Sequence, residues 1–153
     1  MSLGGGANSS VDDAVRRMPA DGVATAVAAG NGNSAGRAQN ACRYSPARVA
    51  EAMTIGATNN TDTKASWSNY GSCVDWFAPG VSITSSWNTS TTATNTISGT
   101  SMATPHTAGV AALYLQTHTA TPQQVRDALF NAATKGVVKN SKTTNNHLLF
   151  TNF

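Results

Sequence analysis

Within this chain of 153 residues, the stretch Ser98-Gly99-Thr100-Ser101-Met102-Ala103-Thr104-Pro105-His106 combines a hydroxyl, an imidazole and a small-residue turn. The turn delivers Ser101 to the first turn of an apolar segment that reads as a helix through about Gln116. Ala103, Val110, Ala111, Leu113, Tyr114 and Leu115 predict that this helix is buried on nearly all sides. Unpaired backbone N–H groups and the positive end of the helix dipole collect at such a start, where developing negative charge is stabilised. That suits a nucleophile and an oxyanion. By position alone, though, serine is an ordinary helix N-cap. Asn31, in Gly30-Asn31-Gly32-Asn33, is likewise a turn former when read alone. His106 follows Ser101 by five residues, about 140° around a helix, so its ring points away and reads as a hydrogen-bonded core histidine. His118 lies just past the helix end, where a cation is favourable, and His147 lies in a polar stretch near the C-terminus. Any of these histidines would need a rearrangement or a second copy of the chain to serve Ser101 as a base.

The elements that must position these groups are legible as alternating helices and strands. Ser10, followed three residues later by Asp13, reads as an N-cap opening a helix with Val11, Ala14, Val15 and Met18 on its apolar face. Gly22 ends it. Val23 to Ala29 is a continuous apolar run, as expected of a strand buried on both faces of a parallel sheet. Further strands are expected at Ala52 to Gly56, Cys73 to Phe77 and Val81 to Ser86, with a surface turn at Asn59 to Lys64. Residues 88 to 96, nearly all Asn, Thr and Ser, read as a polar loop. Thr121-Pro122-Gln123-Gln124 is a capping box with proline at N1, and Leu148-Leu149-Phe150 reads as a terminal strand. The alternation predicts an α/β fold.

Composition narrows the function. The length suits one domain, without repeats or linkers, and a 40% apolar content can build its core. The net charge of +3 comes from few charges rather than a basic tract, which argues against nucleic-acid binding. No apolar run approaches the roughly 20 residues of a membrane span. Met1-Ser2-Leu3-Gly4 lacks the basic and apolar regions of a signal peptide, so none is expected in this chain. Cys42 and Cys73, by themselves, are either two buried thiols or a pair.

The string Gly-Thr-Ser-Met-Ala-Thr-Pro-His at 99–106 strongly resembles the nucleophile motif of subtilisin-like serine proteases. Ser2-Leu3-Gly4-Gly5, Val27-Ala28-Ala29-Gly30-Asn31, Tyr44-Ser45-Pro46-Ala47, Ser68-Asn69-Tyr70-Gly71 and Phe77-Ala78-Pro79-Gly80 resemble further subtilase segments in the family's order. The likeness spans nearly the whole chain and is nearest to the proteinase K and aqualysin branch. It implies a three-layer α/β fold with a mainly parallel sheet, and acyl transfer from Ser101 with Asn31 and the Ser101 N–H as oxyanion donors. It implies a peptide-binding edge at Ser2, Leu3 and Gly4, facing an S1 wall of Ala28, Ala29 and Gly30. It also implies a Cys42–Cys73 disulfide and an extracellular full-length relative. A structural calcium would be held by the Asp75 carboxylate and the carbonyls of Ala50 and Ala52.

The family's Asp-Thr-Gly and His-Gly-Thr-His strings do not occur here, and both belong N-terminal to the matched segments. The expectation is therefore that residues 1–153 are the C-terminal portion of one subtilase catalytic domain, with its N-terminal half missing. Proteolysis should then be impaired and small-ester hydrolysis favoured. The alternative is a non-catalytic folded remnant that self-associates, most simply as a homo-oligomer, or that binds its missing half or a peptide. His106, His118 and His147 remain the candidates for a recruited base.

Overall fold

The computed structural model describes all residues from Met1 to Phe153. Its elements, in chain order, are β1 (Gly5–Gly6), α1 (Ser9–Ala20), β2 (Ala26–Ala28), β3 (Tyr44–Ser45) and β4 (Met53–Thr58). There follow β5 (Trp76–Pro79), β6 (Ile83–Ser86), β7 (Thr94–Ile97), α2 (Thr100–Thr117), α3 (Pro122–Ala132), β8 (Thr134–Lys135) and β9 (His147–Leu148). The central sheet runs β2-β4-β5-β9-β8, parallel except for the β8–β9 pair. This is the α/β fold expected from the alternation of helices and strands, with the mainly parallel sheet that the resemblance implied.

Period-2 alternation along the strands sorts side chains to the two faces. Ala26, Met53, Ile55, Ala57, Trp76 and Ala78 pack with Ala103 and Val110 of α2 and with Val125 and Leu129 of α3. Val27, on the other face, packs with Val15 of α1 and with Val49 and Ala52. A third cluster under the turns joins Ala29, Ala41, Ala47, Val74, Phe77 and Val138. Trp76 is fully buried, and its Nε1 donates to Thr107 Oγ1 at 3.0 Å, pinning α2 to the middle of the sheet. Cys42 and Cys73 are disulfide-bonded across 31 positions, a loop whose closure restricts the unfolded chain by about 3–4 kcal/mol in the entropic model.

Several boundaries differ from the sequence expectation. Helix α1 is capped by Asn8 rather than Ser10: Asn8 Oδ1 accepts from Val11 N, and Asn8 N donates to Ser45 Oγ. Strand β2 starts only at Ala26; Val23 is exposed and its N–H closes the turn back to Met18. Strand β5 starts at Trp76, since Cys73 is tied to Cys42 and Val74 N donates back to Gly71. The polar run before Ser101 contains β7, which pairs antiparallel with β6, and Thr84 and Thr96 hydroxyls meet at 2.7 Å. A two-stranded ribbon standing in solvent needs no apolar alternation, so its polar threonines hid the strand. Strand β6 begins at Ile83 and β9 is His147–Leu148, leaving Phe150 exposed beyond it. Helix α2 is not buried all round: Leu113 is 46% and Leu115 41% exposed.

Candidate active site

Ser101 is the second residue of α2, half-buried, where the helix emerges from Gly99. No side chain of the N-cap residue satisfies the first turn. Its N–H groups are instead divided as follows: Thr100 N donates to Asn31 Oδ1 at 2.8 Å, and Met102 N and Ala103 N both donate to Gly99 O. The Ser101 N–H has no acceptor in the chain. Ser101 is therefore a nucleophile candidate beside a free donor, rather than the N-cap that its position alone suggested.

Asn31 supplies the second free donor. Its Oδ1 accepts from both the N–H and the hydroxyl of Thr100, each at 2.8 Å. Thr100 Oγ1 in turn accepts from Gly30 N at 3.1 Å. With its oxygen doubly engaged, the carboxamide must present Nδ2 outward, and Nδ2 donates to no protein group. The two free donors share one space. A methyl group built on Gly99 would stand 3.4 Å from Asn31 Nδ2 and 3.5 Å from Ser101 N. Two convergent, uncharged N–H donors beside a serine hydroxyl can stabilise the alkoxide of a tetrahedral adduct.

Asn69, which sequence reading did not single out as a site residue, carries the Asn31 turn from below. Fully buried, it accepts on Oδ1 from Gly32 N and Gln39 N and donates from Nδ2 to Ala29 O. Gly30 has φ +100°, and a Cβ there would fall 2.5 Å from Asn69 Nδ2, so only glycine allows this contact. Thr100, fully buried, was missed for a similar reason: its partners Gly30 and Asn31 lie about 70 positions away in sequence. The Gly-Thr-Ser order was the available signal.

Beside these donors lies a cavity of about 350 Å³, lined by Leu3, Gly4, Ala28, Ala29 and Gly30 together with Asn31 and Ser101. The short strand β1 falls later than expected and pairs with β3. Leu3 and Gly4 precede that pairing and make no backbone hydrogen bond. Ser2 stands next to the serine: Ser101 Oγ donates to Ser2 O at 3.3 Å and Ser2 Oγ donates to Ser101 O at 2.8 Å.

None of the three histidines reaches Ser101. His106 is half-buried rather than a core residue, and its Nδ1 lies 2.8 Å from Met102 O one turn back. His118 stacks on Tyr114 at 4.2 Å, its Nδ1 near Thr117 Oγ1 and Tyr114 O. His147 packs on Phe130, where burial, followed by the charge of Lys135, pushes its pKa down.

The three residues that the resemblance implied for a structural calcium, Asp75, Ala50 and Ala52, do border one small cavity of about 110 Å³. The residues present do not fit the ion. The guanidinium of Arg126, on α3, donates to both Asp75 Oδ1 and Ala50 O, and Thr54 N donates to Asp75 Oδ2 at 2.6 Å. No group of three or more His, Cys, Asp or Glu side chains is gathered for a metal anywhere in the chain.

A family model described as the subtilase family matches residues 1–149. The chain belongs to the subtilase family. It is 60% identical over its whole length to the extracellular serine proteinase of Thermus sp. strain Rt41A, of which it covers 37%. To the alkaline serine exoprotease A of Vibrio alginolyticus it is 49% identical, covering 27% of that protein with 98% of its own length. Among solved structures, a cold-adapted subtilisin-like serine proteinase superposes with a TM-score of 0.91 at 48% identity, matching 98% of this chain and 53% of the other. The subtilase segment described here thus spans about a third of the curated relatives. No helix in it is long and apolar enough to cross a membrane.

Proposed function

We propose that this subtilase segment carries the nucleophile, oxyanion hole and substrate wall of a subtilisin-like serine peptidase. Ser101 Oγ attacks the scissile carbonyl, and the oxyanion forms between Asn31 Nδ2 and the Ser101 N–H. The observation that carries this reading is the convergence of those two unengaged donors beside the serine. Leu3 and Gly4, with free backbone groups, receive an extended peptide by strand addition. The small walls of Ala28, Ala29 and Gly30 accept an apolar or aromatic P1 side chain.

The general base and its orienting carboxylate belong, in this reading, to sequence that the relatives carry outside the matched stretch. The 153 residues alone then favour activated esters over amides, because an ester leaving group needs less help from an acid. The test is a chromogenic ester and casein, assayed with wild type and Ser101→Ala. Ester turnover that disappears in the alanine variant, with little casein cleavage, supports the reading; full retention in the variant overturns it.

A second reading, a non-catalytic remnant, is favoured by the exposed Leu113 and Leu115 of the central helix α2. In that reading the exposed end of α2 is covered by a partner, whether the complementary half of a subtilase or another copy of the chain.

A further inference from the structure

The contacts of Arg126 have a consequence for metal dependence. Three separate segments meet at this side chain: α3, which carries it; the turn at Ala50; and the residue Asp75 that leads into β5. Asp75 is 5% exposed, and both of its carboxylate oxygens are used, one by the guanidinium and one by Thr54 N. The carbonyl of Ala50 is taken by the other end of the same guanidinium. A buried carboxylate and a nearby carbonyl make a set that demands a positive charge, since an unneutralised carboxylate in such a place is strongly destabilising. The demand is met here from within the chain. Arginine suits it because its planar fork addresses two oxygens at once and stays charged at every ordinary pH.

We propose that Arg126 is a built-in replacement for a bound cation at the Asp75–Ala50 cradle. It ties α3 to the edge of the core without calcium, and its removal converts the cradle into a calcium site. A divalent ion could use the same oxygens, but only by expelling the guanidinium from both.

The experiment is thermal unfolding of the 153-residue protein in chelator and in millimolar calcium chloride, with calcium titration calorimetry alongside. The proteins are wild type, Asp75→Asn, Arg126→Ala, Arg126→Lys and the double variant Arg126→Ala/Asp75→Asn. Wild type is expected to melt at the same temperature in both buffers. Arg126→Ala should melt about 5–10 °C lower in chelator, the scale of a broken buried pair in a domain this size. Calcium should restore much of that loss and bind at one site, and the added Asp75→Asn change should abolish the response. Arg126→Lys, which keeps a cation, should stay indifferent to calcium. If Arg126→Ala does not fold in chelator, its refolding yield in calcium is read instead, and recovery there supports the proposal. Two results overturn it: a wild-type calcium response that Asp75→Asn abolishes, or an Arg126→Ala protein that neither binds calcium nor gains from it in melting or refolding.

Discussion

Because both hydrogen bonds from Thr100 fall on the Asn31 oxygen, that side chain can turn only by breaking them, so its amide nitrogen is held in place for the oxyanion role proposed above. Such preorganisation acts on the transition state more than on bound substrate. Asn31→Ala should therefore lower kcat by about 10²–10³, the size known for loss of an oxyanion donor in subtilisin, with KM little changed. A rise in KM alone would make Asn31 a binding or turn residue. Gly99→Ala probes the same space from the backbone. Gly99 has φ 167°, extended geometry that alanine adopts freely, so the melting temperature should stay near wild type while the new methyl, in ordinary contact with both donors, fills the space they address and kcat falls. Ser101 and Asn31 were legible because the strings around them resemble a known family. Thr100 and Asn69 were not, because their work is done on residues distant in sequence, and a side chain's hydrogen-bond partner cannot be read from its neighbours.

At the level of elements, sequence patterning located the helices and the buried strands well, because periods of 3.6 and 2 are imposed by the core they face. It failed where the core is absent, at the solvent-exposed β6–β7 ribbon, and where a long side chain reaches across elements, as Arg126 does from α3. Lys64, between β4 and β5, is a third case. The expected surface turn places it in water, yet it is 6% exposed and its Nζ donates to Ala65 O and Ser68 O, each at 2.8 Å. Burial, with a smaller push from Lys142, lowers its pKa to about 8 from 10.5. The folded protein then releases this proton before the unfolded chain does, so Lys64 makes stability rise with pH between about 8 and 10.5. The slope is at most about 1.4 kcal/mol per pH unit. Urea unfolding at pH 7 to 10 should show the rise, and Lys64→Met should flatten it; parallel curves for the two proteins would mean that Lys64 titrates normally.

For the whole molecule, the sheet and its two helical layers account for the shape of the site, while the last turns of α2 stay in solvent with Leu113 and Leu115 exposed on opposite sides. Water disfavours that arrangement, and a second copy would relieve it most simply through a two-fold contact. Light scattering at micromolar concentration should report a species larger than the 15.7 kDa chain, and a strict monomer would show that the exposed leucines are tolerated in water. Self-association bears on stability, but the central claim is chemical: Ser101 forms an acyl-enzyme within the hole made with Asn31. It is tested most directly by quenching the protein in acid after brief exposure to an activated ester and mapping the acyl group by peptide mass spectrometry. A single adduct on Ser101, absent in Ser101→Ala and slower to form in Asn31→Ala, is the predicted result. Acylation spread over lysines and histidines, at the same rate in Ser101→Ala, would contradict it.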